Sequence, residues 1–163
     1  MAEHFEITDA MRAVVGVQSE PWTLEVTTTS IRAFARGVGY QDPVYFDLEA
    51  AAAAGYPTLP APPTYLGTSV FNPLLCEPTF GMPRRSGPKL EHGLPGLLDG
   101  GTETIYERTP LAGDVLTSRS AIVELETKQS GSLGTMLVVT TEATYHDAEG
   151  QLVARQRSQA IFY

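Results

Sequence analysis

The sequence predicts an α+β fold, and three observations predict it. The N-terminal part sets one strand-like run among short helices that carry their own caps. The C-terminal part holds four strand-like runs joined by turn residues, as an antiparallel meander does. No internal repeat or linker divides the two, so strands and helices share one core. With 163 residues, residues 1–163 are expected to form one domain with a sizeable core.

Taken in order, Thr8 or Asp9 is placed to cap a short helix ending near Val15, where Gly16 stops it. Trp22 to Thr27 alternates apolar and polar residues, the period of a half-buried strand. Thr29 or Ser30 then caps a helix through Val38, with Ile31, Phe34, Ala35 and Val38 on one face and Gly39 as its stop. Asp47 caps a helix over Leu48 to Ala54, closed by Gly55. Pro57, Pro60, Pro62 and Pro63 force the chain to extend, because proline restricts both itself and the residue before it. Pro63 also suits the first turn of a third helix, where a missing N–H costs nothing. Residues 72–101, rich in Pro and Gly, read as a long loop. Strands are expected over Thr102–Arg108, Val115–Thr127, Thr135–Tyr145 and Leu152–Phe162, with hairpin turns at Ser130–Gly134 and Asp147–Gly150.

Composition narrows the function. A chain 42% hydrophobic and 18% charged is globular rather than disordered. A net charge of −8 repels phosphate backbones, and no basic run is interleaved with aromatics, so nucleic acid is not an expected partner. Arg84, Arg85 and Lys89 form the densest basic patch, either a solvated loop or a contact for a phosphopantetheine arm. Cys76 is the one cysteine, which rules out an internal disulfide and leaves a small packing residue. No apolar stretch reaches membrane-spanning length, and the N-terminus carries acids where a leader would carry Lys or Arg; a cytoplasmic protein with no membrane partner is expected. Dispersed histidines and one cysteine give no metal-ligand spacing, and no cofactor is called for.

The segment Gly39-Tyr40-Gln41-Asp42-Pro43-Val44-Tyr45-Phe46-Asp47, followed by an alanine run and Ala61-Pro62-Pro63-Thr64, resembles the motif of the MaoC-type hydratases and dehydratases. These add water to enoyl thioesters or remove it from 3-hydroxyacyl thioesters, and their segment reads roughly Gly-Asp-x-Asn-Pro-Leu-His-x-Asp. Thr29 to Asp47, Gly55 to Thr64, and Tyr106-Glu107-Arg108-Thr109-Pro110-Leu111-Ala112-Gly113-Asp114 extend the likeness over nearly the whole chain. It is similar in these stretches to the N-terminal, FAS1-like dehydratases, whose members include accessory subunits of mycobacterial-type hydroxyacyl-carrier-protein dehydratases. The resemblance implies a hot-dog fold, a curved antiparallel sheet around a central helix, normally paired into a dimer.

Hydration of an enoyl thioester needs a base for water, an acid for the α-carbon, and donors for the thioester oxygen as it gains charge. In the active relatives an Asp and a His serve the first two needs. This chain keeps Gly39, Pro43 and Asp47 of the motif but has Tyr40 at the acid's position and Tyr45 at the imidazole's. Ionising a phenol at neutral pH costs roughly 4 kcal/mol, so both are poor bases that still donate hydrogen bonds. Aromatic packing beside a vestigial site is the competing reading. Active relatives also have a His-Gly pair whose backbone N–H helps hold the oxyanion. Here the pair is Pro62-Pro63, which has no N–H to give, leaving Thr64 or Tyr65 to supply one.

Three further residues are candidates. Asp42 is a displaced base or a turn cap, His92 a proton carrier or a solvated loop residue, and Asp99 a polar substrate contact at the start of the sheet. The candidate catalytic set is thus Tyr40, Asp42, Tyr45 and His92, with Gly39, Pro62, Thr64, Tyr65 and Asp99 toward substrate. His4 and His146 look peripheral; Ser130–Gly134 and Gly113-Asp114 read as turns. The resemblance implies an (R)-specific enoyl/3-hydroxyacyl thioester hydratase–dehydratase component that has lost the usual dyad and shapes the acyl site of a hot-dog dimer. The long loop, with Phe71, Leu74, Leu75, Phe80 and Met82, would line or cover the acyl channel or pack as satellite core. Its expected partners are an acyl-CoA or acyl-carrier-protein substrate and a second hot-dog subunit, identical or not. The alternatives are a stand-alone hot-dog enzyme with altered acid–base chemistry and a non-catalytic acyl-thioester-binding protein.

Overall fold

The computed structural model describes residues 5–68 and 89–163. Thr8 caps α1 (Asp9–Ala13), its Oγ1 accepting from the Met11 amide, and the helix stops short of Val15. β1 (Trp22–Glu25) also ends before its expected limit at Thr27. The reason lies in the next helix, α2 (Thr28–Val38), whose cap is Thr27 rather than Thr29 or Ser30. Thr27 Oγ1 accepts from the Ser30 amide and Ser30 Oγ accepts from the Thr27 amide, both at 3.0 Å, a reciprocal capping box. α2 buries Ile31 and Ala35 and half-buries Phe34, whereas Val38, expected on the same face, is exposed in the last turn. Gly39 ends the helix at φ +85°, a conformation that costs a side-chain-bearing residue energy and glycine none.

A 3-10 turn over Pro43–Tyr45 follows, capped by the Asp42 carboxylate on the Val44 amide at 3.0 Å. Asp47 caps α3 (Leu48–Ala53), accepting from the Glu49 and Ala50 amides. The proline segment runs extended and is fastened to the loop at residues 109–112: Ala61 N donates to Pro110 O at 2.8 Å, and Ala112 N to Leu59 O at 2.9 Å. The helix expected to open at Pro63 begins instead with a 3-10 turn over Tyr65–Thr68, where the Tyr65 amide donates to the Pro62 carbonyl. The rest of that expected helix lies outside the described residues.

Four long strands complete the sheet: β2 (Leu97–Tyr106), β3 (Val115–Ser130), β4 (Gly134–His146) and β5 (Leu152–Phe162). The order is β1-β3-β4-β5-β2, and every pairing is antiparallel. The expected loop at 72–101 is corrected here, since β2 starts at Leu97. Its Asp99-Gly100-Gly101 stretch hides the strand period by carrying a bulge. Gly100 is needed there because a Cβ would come within 2.7 Å of the Gln159 Cβ. β2 ends at Tyr106 rather than Arg108, as Glu107 and Arg108 both turn their amides to the Val153 carbonyl.

One rung positions the functional end of the molecule. Trp22, Ser118, Tyr145, Ala154 and Tyr106 are successive register partners across all five strands. Ser118 and Ala154 are fully buried, and their small side chains leave room for the Trp22 and Tyr145 rings, which meet edge-on at 6.4 Å. Ile31, Ala51, Leu59 and Leu66 complete the core over this face, a fully buried Leu or Ile contributing about 1.5–3 kcal/mol. At one corner Arg108 holds Asp114 bidentately at 2.7 and 3.1 Å and reaches Asp147 at 3.3 Å. This clamp ties the loop carrying Pro110 to the β4–β5 turn.

A tyrosine-walled cleft as candidate substrate site

Three segments meet above the Tyr106 end of the rung: the 3-10 turn, the extended proline segment, and the loop at Thr109 and Pro110. They leave a cleft of about 160 Å³, walled chiefly by Tyr45, Tyr56, Tyr106, Pro60, Pro63 and Pro110. None of the described residues lining it is charged. The walls are held from behind, as Pro60 and Pro110 are fully buried and Pro60 makes an isolated bridge to Leu111.

The tyrosines divide into those already engaged and those available. The Tyr106 hydroxyl donates to the Pro63 carbonyl at 2.6 Å, and burial pushes its pKa up to about 12 despite the opposing Leu66 amide. Tyr65 is buried, shares a 2.7 Å hydrogen bond with Ser30 Oγ, and meets the Phe34 ring edge-on at 5.6 Å. Burial raises its pKa, with the Ser30 bond acting against this. The rings of Tyr40 and Tyr45 touch edge-on, 5.4 Å apart, and the Tyr40 hydroxyl lies 3.5 Å from Thr64 Oγ1. Partial burial raises the Tyr45 pKa, helped by the neighbouring Asp42, Tyr40 and Tyr56. Tyr45 therefore stays protonated through the physiological range and acts as a donor, not a base. The hydroxyls of Tyr45 and Tyr56 have no hydrogen-bond partner among the described residues.

The structure thus gathers Tyr40, Tyr45 and Thr64, with Asp42 beside Tyr45 and Pro62 and Tyr65 beneath. Asp42 has one carboxylate oxygen committed to the Val44 amide, and Gly39 serves as the α2 stop. His92 and Asp99 lie elsewhere. The His92 ring packs on Phe162 at 4.0 Å, and its Nδ1 accepts from the Leu94 amide. Phe162 pairs with Leu97, so His92 sits at the end of β2 opposite Tyr106, roughly 30 Å away along the strand. Burial lowers the His92 pKa, which favours the neutral ring. Asp99 accepts from the Gly101 amide at 2.8 Å and so holds the bulge. Lys89 pairs with Glu91, while Arg84, Arg85, Cys76, His4 and the apolar residues from Phe71 to Met82 lie outside the described residues. Tyr56, Tyr106, Thr109 and Pro110 fall inside the stretches that carry the family likeness, Gly55 to Thr64 and Tyr106 to Asp114, but were not singled out as site residues. Tyr106 had a further signal, alternating with Thr104 along β2.

A family model described as FAS1-like, dehydratase domain region, matches residues 13–156. The chain belongs to this family. Its sheet and helices make a MaoC-like hot-dog fold of the (R)-hydratase/dehydratase type. Over 130 residues it is 33% identical to a UPF0336 protein of Parafrankia, covering 80% of this chain and 78% of that one. A probable enoyl-CoA hydratase alpha subunit of Thermomonospora curvata is 29% identical over 140 residues, 81% of this chain but 43% of that larger protein. Among solved structures, the HadBC (3R-hydroxyacyl-ACP dehydratase) complex of Mycobacterium tuberculosis superposes with a TM-score of 0.68 at 25% identity, over 96% of this chain and 99% of that one. The FAS1-like family frame explains why the altered motif keeps its backbone: Gly39, Pro43 and Asp47 shape the stop, turn and cap that carry Tyr40 and Tyr45.

Proposed function

We propose that this chain is the acyl-shaping component of an (R)-specific enoyl/3-hydroxyacyl thioester hydratase–dehydratase, whose water-activating Asp and His come from a second hot-dog subunit. The single observation that carries this reading is the edge-on contact of the Tyr40 and Tyr45 rings, with Tyr45 held protonated, at the motif positions where the reaction needs a base. The HadBC dehydratase is itself a complex of named subunits, and the Thermomonospora relative is named an alpha subunit; both support a paired assembly. So does the shape of the sheet. The β1 edge is short and is continued by Gly16 and Ser19, which donate to the β3 carbonyls of Ile122 and Ser120. The β2 edge has no neighbour among the described residues, with Leu97 62% and Ile105 57% exposed. An open edge with exposed apolar side chains is where a second sheet adds.

The test is to purify the chain from its host, identify co-purifying chains by mass spectrometry, and assay crotonyl and longer enoyl thioesters with and without them. Hydration is expected only in the mixed complex, and Asp→Asn at the partner's base should abolish it. Full activity in the isolated chain would instead establish the stand-alone enzyme. Binding without turnover in every mixture would leave a non-catalytic acyl-thioester protein.

A further inference from the structure

The cleft has a definite size, a neutral lining and rigid walls, and these bear on what it can hold. At about 160 Å³ it compares with an apolar protein cavity of roughly 150 Å³ that takes up benzene. Its walls are proline rings and tyrosine rings, and the backbone behind them is tied at Ala61–Pro110 and Ala112–Leu59. Walls tied in this way resist widening for a thicker guest, and the cleft opens to solvent on one side. Flat walls favour a flat guest, since aromatic faces and edges meet a ring better than a coiling alkyl chain. With no charged residue among the described ones that line it, the cleft offers from these no counter-ion to a charged guest, whose desolvation would go uncompensated. The hydroxyls of Tyr45 and Tyr56, free of partners among the described residues, offer hydrogen bonds to one polar acceptor.

We infer that the cleft is a subsite for a neutral, planar, ring-sized acyl group of about six to nine heavy atoms, its carbonyl oxygen accepting from both the Tyr45 and the Tyr56 hydroxyls. The inference rests on the reading that the chain binds acyl thioesters, and it deepens that reading by naming the acyl class. A benzoyl-like or small cyclic acyl group fits; an extended medium or long alkyl chain does not.

The experiment uses the full chain, with its co-purified partner where one exists, and ligand-observed NMR or calorimetry. Three probes are compared: the benzoyl thioester of N-acetylcysteamine, the decanoyl thioester of the same thiol, and benzamide, which has the ring and carbonyl but no thioester. The benzoyl thioester and benzamide are expected to bind, and the decanoyl thioester at least about tenfold more weakly. Tyr56→Phe keeps the wall and removes one donor, so binding of both ring probes should weaken about fivefold, the worth of one hydrogen bond. Thr109→Trp, at the lining, should abolish benzamide binding while the thermal melt stays cooperative. Tighter binding of the decanoyl thioester, or benzamide binding untouched by Thr109→Trp, overturns the ring-sized subsite. Benzamide binding without binding of either thioester keeps the subsite and removes the thioester reading instead. Should Thr109→Trp fail to fold, Tyr56→Phe decides: unchanged affinity for both ring probes overturns the proposal.

Discussion

Replacing Tyr106 by Phe tests whether the hydroxyl at the edge of the rung holds the Pro62-Pro63 segment in place. The ring survives, so the cleft wall stays, but the 2.6 Å bond to the Pro63 carbonyl is lost. Pro63 is exposed, so water can take over its carbonyl, and the loss is that of one net hydrogen bond, ~1 kcal/mol. With a urea m-value of about 1–3 kcal/mol/M, the midpoint should fall by roughly 0.5 M. The loss also has a pH signature. The folded chain keeps the Tyr106 proton to about pH 12, whereas an unfolded tyrosine loses it near pH 10. The stability this group contributes is fully present below about pH 10 and is lost as pH rises through 12. The gap between wild type and Tyr106→Phe should therefore be widest near neutrality. By about pH 11 it should shrink by ~0.7 kcal/mol, half of one pKa unit's worth because the ring is only partly buried. Urea titrations of both proteins at one fixed concentration, near pH 8 and near pH 11, measure this; other tyrosines titrate in both and cancel. A variant as stable as wild type near pH 8, or a gap that widens with pH, refutes the reasoning.

Other substitutions probe the remaining parts. Ser118 Oγ is fully buried with no hydrogen-bond partner among the described residues, so Ser118→Ala should stabilise the fold by up to ~1 kcal/mol, read as a higher melting temperature. Asp114→Asn removes the charged half of the Arg108 fork and weakens the Leu111 amide bond; a loss of about 2 kcal/mol is expected in chemical denaturation. Gly39→Ala forces a side chain into φ +85° and should cost about 1 kcal/mol by the same measurement. Leu97→Lys with Leu98→Lys loads the open β2 edge with charge, and sedimentation should then show separate subunits in place of the complex.

The strands of the C-terminal meander were legible because their period-2 runs are long and their turns carry Asp, Gly and Ser at the right places. β5 was expected and found over Leu152–Phe162. The start of β2 was hidden, because a bulge at paired glycines breaks the period and a Pro/Gly-rich stretch precedes it. The α2 cap was displaced for a local reason. Thr27, Thr28, Thr29 and Ser30 are all capping types, and only the reciprocal Thr27–Ser30 bonds choose among them. The site shows the same division. Tyr40, Tyr45 and Thr64 belong to motif segments close in sequence, so the reading reached them. Tyr56, Tyr106 and Pro110 join the cleft only through tertiary contacts made across the sheet edge, which no spacing reveals. His92 lies far from the tyrosines because it precedes β2, whose length separates it from Tyr106.

The two departures from the family's motif are physically connected. The prolines at 62 and 63 remove backbone donors, yet their rigidity fixes one wall of the cleft and presents the Pro63 carbonyl to Tyr106. The phenols at 40 and 45 stand where the motif has its acid and imidazole, yet Tyr45, with Tyr56, brings a hydroxyl donor to the same cleft. Donors lost from the backbone are thus offset by donors on side chains, while Asp42, the acid nearest Tyr45 in the motif, has one oxygen held by its own turn. On the proposed function, a site altered in this direction would hold a carbonyl oxygen and leave the activation of water to the second subunit. It follows that restoring an acid alone, Tyr40→Asp, should not create a hydratase in the isolated chain. Tyr45 would remain a protonated donor where the reaction's second proton-transfer group has to stand.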